Sequence, residues 1–171
     1  QKQIVERLDK IAEAQKLNDE LIQKTDELFQ SLLHSLIRAN SGIVKKLGEV
    51  ADFMNGRAFK PKDWGKKGLP IIRIQNLNNK DADFNYYEGK IDDRYLVHKN
   101  DLLFSWSGNI GTSFGAFIWN REDAILNQHI FKIRIIIHAN LDKDYFFFYI
   151  NKIIKEIEKK THGITGLVHI T

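Results

Sequence analysis

Between Arg57 and Lys67 the chain reads Arg57-Ala58-Phe59-Lys60-Pro61-Lys62-Asp63-Trp64-Gly65-Lys66-Lys67, five basic side chains and one acid in eleven positions. Its Pro and Gly mark a loop, from which long cationic side chains reach a polyanion without disturbing a core. Just beyond, Arg73-Ile74-Gln75-Asn76-Leu77-Asn78-Asn79-Lys80 closes an expected strand with arginine, glutamine and three asparagines. Those side chains carry the paired donors and acceptors that suit guanine and adenine edges. Polar loop filling is a rival account of this run, as a merely solvated lysine loop is of the first. Three further polar clusters follow at Trp106-Ser107-Gly108-Asn109-Ile110-Gly111-Thr112, Asn127-Gln128-His129 and His162-Gly163-Ile164-Thr165-Gly166. Five such segments in one basic body favour a nucleic-acid reader, and a net charge of only +4 argues against a nonspecific coating protein.

Catalytic patterns are poorer. Gly108-Asn109-Ile110-Gly111-Thr112-Ser113 has the glycines of a phosphate loop but neither its lysine nor a following helix, and reads as a hairpin turn. Glu88-Gly89-Lys90, with Asp63 or Asp83 upstream, imitates a metal-dependent nuclease triad, yet acid-x-Lys triplets are common by chance. The six histidines, His34, His98, His129, His138, His162 and His169, lack ligand spacing and acidic partners. Neither a Gly-x-Ser-x-Gly elbow, a dinucleotide fingerprint nor an Asn-Pro-Pro-Tyr methyltransferase tetrapeptide occurs. Zero cysteine excludes disulfides, thiolate zinc sites and thiol nucleophiles. The expectation is a chain without catalysis or a metal of its own.

The elements that must position these residues divide the chain of 171 residues in two. Residues 1–40 hold no Gly, no Pro and one aromatic, Phe29, with six basic and seven acidic side chains. Ile4, Leu8, Ile11, Ala14, Leu17, Leu21, Leu28, Leu32 and Leu36 recur there at three- and four-residue steps, between Lys, Glu, Asp and Gln. A helix of about 35 residues reaches roughly 50 Å, too long for a small domain to cover, so the stripe calls for a partner helix. A terminal helix packed wholly on its own domain is the rival reading. Ala39-Asn40-Ser41-Gly42 reads as cap and linker. The remainder holds all 11 Gly, both Pro, 18 of the 19 aromatics and a net charge of +5. Strands are expected at 71–74, 102–106, 114–119 and 131–137, the last with Phe131, Ile133, Ile135 and Ile137 on one face and Lys132 and Arg134 on the other. A second helix is expected from about Asp142 to Lys160, with Phe146, Tyr149, Ile150, Ile153 and Ile157 on one side. The fold class is therefore α+β, a long N-terminal helix and a strand-rich globular body. No stretch approaches the roughly 18 apolar residues of a membrane span and no secretory leader is expected, so a cytoplasmic address is.

Several blocks resemble a known family. Lys46-Leu47-Gly48-Glu49-Val50, then Asn55-Gly56-Arg57-Ala58-Phe59-Lys60 and Gly68-Leu69-Pro70-Ile71-Ile72-Arg73-Ile74-Gln75-Asn76-Leu77, resemble the opening of a type I restriction–modification target recognition domain. Asn100-Asp101-Leu102-Leu103-Phe104-Ser105-Trp106-Ser107-Gly108, Asn127-Gln128-His129-Ile130 and Thr161 through Ile170 are similar to its later blocks. Gln1 through Ile11 is similar to the start of its conserved spacer helix. The resemblance implies a spacer helix at 1–40 and a target recognition domain at 43–171. It implies one half of a bipartite DNA site read by this domain, within a specificity subunit that directs modification and restriction subunits. S-adenosylmethionine, ATP and Mg²⁺ would then belong to those partner subunits and none to this chain. A full subunit is more than twice as long, so the chain, which opens at Gln1 rather than Met, is expected to be an excised half or a half-length subunit. The partner of its stripe (Ile4, Leu8, Ile11, Leu21, Leu28 and Leu32) is then a second spacer helix of the same subunit or a homodimer copy.

The expected division of labour puts Arg57, Lys60, Lys62, Lys66, Lys67 and Lys80 on phosphates, where they position without reading. Base edges fall to candidates among Arg73, Gln75, Asn76, Asn78, Trp106, Ser107, Asn109, Gln128 and Thr165. Trp106 or a Gly-rich loop is further expected to hold a distorted duplex, with core packing as the alternative for Trp106. The rivals to double-stranded DNA recognition are a helix-mediated assembly scaffold with incidental basic loops and a nuclease using Asp63, Glu88 and Lys90.

Overall fold

The computed structural model describes residues 2–39, 44–109, 112–160 and 168–169, with backbone alone for 38–39, 157–160 and 168–169. It divides into two compact units, Gln1–Val44 and Lys45–Thr171. The first is helix α1, Lys2–Ala39, 38 residues without a Gly or Pro to break it. Local pairs one turn apart support it, Lys16 with Glu20 at 3.9 Å and Gln23 Nε2 donating to Glu27 at 2.9 Å. Its stripe residues Ile4, Leu8, Ile11, Leu17, Leu21, Leu28, Leu32 and Leu36 are all 55–64% exposed.

The second unit opens with a single helical turn, α2 (Leu47–Val50), running into β1 (Ala51–Asn55). Then come β2 (Leu69–Ile72), the short helix α3 (Ile74–Asn78), β3 (Asn85–Tyr87) and β4 (Leu96–Val97). β5 (Leu102–Ser105), β6 (Ser107–Gly108), β7 (Gly115–Ile118), β8 (Ala124–Leu126) and β9 (Ile130–Ile135) follow. Helix α4 (Lys143–Lys160) and β10 (Val168–His169) complete the described elements. One antiparallel sheet has the order β1-β9-β5-β7, and a second, mixed sheet the order β3-β2-β8-β4. Within the second, β2 and β8 are parallel neighbours, Ile71 beside Ile125 and Ile72 beside Leu126. β10 pairs with β6, His169 opposite Ser107.

The first sheet is covered on both faces, which explains the unbroken apolar run Leu102-Leu103-Phe104 of β5. Leu102, Phe104, Ala116 and Ile133 pack with Phe146, Ile150 and Ile154 of α4. Leu103 and Ile130 pack in a second cluster with Ile72, Val97, Ala124 and Leu126 of the mixed sheet. One half-buried side chain of β9 links the sheets at one point. Lys132 Nζ lies 2.7 Å from Asp101 and donates to the Leu96 carbonyl at 2.9 Å. At the β7 edge, Asn151 of α4 takes the place of a further strand. Its Oδ1 accepts from Ala116 N at 2.9 Å and its Nδ2 donates to Ala116 O at 3.0 Å. Gly115 makes that approach possible, since a Cβ there would stand 2.9 Å from the Asn151 side-chain oxygen, Oδ1.

The α+β architecture, the long first helix and the four expected strands are present, with three local differences. The strand expected at 71–74 stops at Ile72 because Asn76 Oδ1 accepts from Arg73 N at 3.0 Å and starts α3. The strand expected to reach Ile137 ends at Ile135, and Ile137 lies 92% exposed in a 3-10 turn. In α4 the third buried position is Ile154, one residue from the expected Ile153.

Candidate nucleic-acid interface

Because β2 and β8 run in parallel, the chain leaves both at the same end of the mixed sheet. The residues that follow, Arg73-Ile74-Gln75 and Asn127-Gln128-His129, therefore meet although more than fifty positions separate them in sequence. Together with Phe59, Trp64 and Ile130 they line a half-open hollow of about 260 Å³. The exit of β1 is laced to the exit of β8: Arg57 N donates to Leu126 O at 2.9 Å, and Gln128 N to Arg57 O at 3.0 Å. Only glycine fits at position 56, where a Cβ would stand 2.1 Å from the Asn127 carbonyl oxygen.

The basic loop is less free than its composition suggests. Asp63 accepts from Lys60 N at 2.8 Å, closing a 3-10 turn over Pro61–Asp63. Gly65 exchanges two backbone bonds with Tyr86, at 2.7 and 3.2 Å, fastening the loop along β3. Trp64 stands between these two fixings, with the Arg73 guanidinium 5.1 Å from its ring centre. Arg57 is half-buried rather than extended, its guanidinium 5.1 Å from the Phe59 ring and 4.7 Å from the Tyr87 ring, and it donates to the Tyr87 hydroxyl at 3.0 Å. Lys60, Lys62, Lys66, Lys67 and Lys80 are exposed.

Of the residues expected at bases, Arg73, Gln75 and Gln128 line the hollow. Asn76 does not belong with them. It is 1% exposed, and its amide is used on Arg73 N and on the carbonyls of Ala82 and Asp83, at 3.2 and 3.1 Å. Asn76 shapes the turn that carries Arg73. Ser107 is likewise buried, in the strand paired with β10. Trp106 is half-buried with its indole N–H donating to Gln128 O at 3.2 Å and its ring 5.3 Å from that of His129. It backs the hollow's wall rather than standing clear as a wedge. Asn78 and Asn109 are exposed outside the hollow, and the Asn109 carbonyl accepts from Ser113 and Phe114 N–H. Thr165 and the rest of the His162–Gly166 block lie outside the described residues.

Sequence reasoning missed the aromatic walls, Phe59 and Trp64, and the wall histidine. His129 Nε2 lies 3.1 Å from the Gln128 amide nitrogen. Its Nδ1 is buried and has no hydrogen-bond partner among the described residues. The only advance signal was its place in the Asn127-Gln128-His129 cluster. Among the described residues no three His, Asp or Glu side chains come together as a metal cage, and no helix is long and apolar enough to cross a membrane.

A pinned scaffold presenting amide and guanidinium groups, with lysines around it, is suited to an anionic polymer carrying base edges. Residues 43–171 match the family described as type I restriction modification DNA specificity domain. The chain belongs to this family. It is 29% identical over 142 residues to the type I restriction enzyme EcoBI specificity subunit of Escherichia coli, an alignment covering 81% of this chain and 29% of that one. Its fold matches the crystal structure of the HsdS subunit from Thermoanaerobacter tengcongensis, with a TM-score of 0.62, 17% identity, and coverage of 88% of this chain and 39% of that one. A structure described as the basis of complex assembly and conformational transition of the type I R-M system matches with a TM-score of 0.63 and 16% identity. That match covers 96% of this chain and 41% of the other. This specificity-domain chain thus spans between 29% and 41% of the length of these relatives.

Proposed function

We propose that this specificity domain reads one half of a bipartite double-stranded DNA site and directs modification and restriction subunits to it. The observation that carries the reading is the hollow itself. The ends of two parallel strands bring Arg73, Gln75 and Gln128 onto one wall, beside a loop of exposed lysines. Lys60, Lys62, Lys66, Lys67 and Lys80, with the inner Arg57, position the duplex through phosphates, and the hollow's side chains distinguish bases. The chain carries no cofactor of its own and performs no chemistry. S-adenosylmethionine, ATP and Mg²⁺ act in the partner subunits, in the cytoplasm. Helix α1 pairs through Ile4, Leu8, Ile11, Leu21, Leu28 and Leu32 with a second spacer helix, from the same subunit or from another copy.

Selection of bound sequences from a random duplex library at about 0.15 M salt tests this, with salt fixed because phosphate contacts alone bind strongly when it is low. Enrichment of a short defined motif is expected, single for one copy and mirrored for two. A folded chain that enriches no motif overturns the reading.

A further inference from the structure

We infer that Arg73 reads a guanine in the half-site and that Trp64 is the platform holding its guanidinium in place; this rests on the DNA reading above. The body contains five arginines, and four have an acceptor within the chain. Arg57 donates to the Tyr87 hydroxyl at 3.0 Å and Arg121 to the Asn79 carbonyl at 3.3 Å. Arg94 lies 3.4 Å from Asp92, and Arg134 3.2 Å from Asp52. Arg73 is half-buried and lines the hollow, yet among the described residues its guanidinium meets no carboxylate and no carbonyl, only the face of Trp64. Withdrawing a guanidinium from water without an acceptor is costly, and a ligand that supplies acceptors in the hollow recovers that cost.

Both halves of the stack sit on fastened backbone. Trp64 N donates to Pro61 O at 3.2 Å, and the next residue, Gly65, is bonded twice to Tyr86. Arg73 N is held by Asn76 Oδ1 at 3.0 Å. The planar fork is thus oriented before DNA arrives, so little rotamer freedom remains to be lost on binding. Two parallel N–H groups match the O6 and N7 acceptors of guanine in the major groove. A phosphate also accepts from arginine, but Arg73 stands among the amides of Gln75 and Gln128, which carry both donors and acceptors. The exposed lysines supply the phosphate contacts nearby.

The test repeats the selection with the full chain carrying Arg73→Ala, Trp64→Ala or Trp64→Phe, each first shown by thermal melting to be folded. Wild type is expected to enrich a motif containing guanine, and Arg73→Ala to lose preference at that one position by roughly 5- to 150-fold. Trp64→Ala loses part of the same preference and Trp64→Phe, which keeps an aromatic face, restores it. Replacing that guanine by 7-deazaguanine, which lacks N7, weakens wild type but leaves Arg73→Ala unchanged. Uniform weakening across all sequences with Arg73→Ala identifies a phosphate contact and overturns the inference. So does a motif unchanged at every position. Failure of the wild type itself to enrich a motif is the separate result that defeats the DNA reading.

Discussion

Helices α1 and α4 carry the same kind of apolar stripe and meet opposite fates. In α4, Phe146, Ile150 and Ile154 follow one another at four-residue steps and are 2–8% exposed against the first sheet. In α1, Leu17, Leu21, Leu28, Leu32 and Leu36 recur at similar steps and stay 55–64% exposed. Amphipathic periodicity says that a face must be covered and not what covers it. Within the described residues the molecule contains surfaces answered by its own chain, such as the inner face of α4, and groups left unanswered, such as the exposed leucines of the α1 stripe, the Arg73 guanidinium and His129 Nδ1. The answered surfaces carry stability, and under the proposed function the unanswered ones are where binding is expected.

The strongest way to break that distinction is to empty an answered face. Phe146→Ala removes a ring buried between α4 and the sheet and is expected to cost about 3–5 kcal/mol in chemical denaturation. Next in size is Asn151→Ala, which strips the β7 edge of both bonds to Ala116 and leaves its buried N–H and C=O without partners. A loss of about 1–3 kcal/mol is expected, with slower-exchanging amides in β5 than in β7 on hydrogen exchange. A variant that melts like wild type would show that the edge is answered from elsewhere.

These contrasts also mark what sequence can and cannot convey. The stripe of α1 and the body's strands were legible because both rest on local periodicity and on the abrupt appearance of Gly, Pro and aromatics after residue 40. The helix at Ile74 was not, because Asn76 bonding back to Arg73 N looks in sequence like one more polar loop residue. Arg73, Gln75 and Gln128 were named from side-chain chemistry, but nothing local says that β2 and β8 lie parallel and bring them together. Phe59 and Trp64 were read past for the same reason. Inside a lysine-rich run they look incidental, and only the fold places Arg57 and Arg73 against them.

On the unanswered side, effects on stability shrink and effects on binding remain. Lys62→Ala and Lys66→Ala leave the melt unchanged. Each is expected to weaken DNA uniformly across sequences and to reduce the slope of log affinity against log salt by about 1. A change confined to one base position would move the lysine from positioning to reading. His129→Phe keeps an aromatic ring beside Trp106 while removing the buried Nδ1, which has no hydrogen-bond partner among the described residues. It is expected to raise stability by about 1 kcal/mol and to lower DNA affinity, since the Gln128 amide loses its partner.

The smallest effect sharpens the comparison most. Leu21→Ala with Leu28→Ala shaves the exposed stripe while keeping helix propensity, because alanine is the best helix former. All three tryptophans, Trp64, Trp106 and Trp119, lie in the body, so fluorescence melting reports the body alone while ellipticity at 222 nm follows both helices. The double variant is expected to shift the fluorescence melt by less than about 0.5 kcal/mol, as for a surface substitution. Its effect belongs instead to assembly, read as a lower association state or weaker pairing with a second helix in sedimentation. A fluorescence shift approaching that of Phe146→Ala would mean that the stripe is covered by this chain's own body. The two helices would then differ in degree and not in kind.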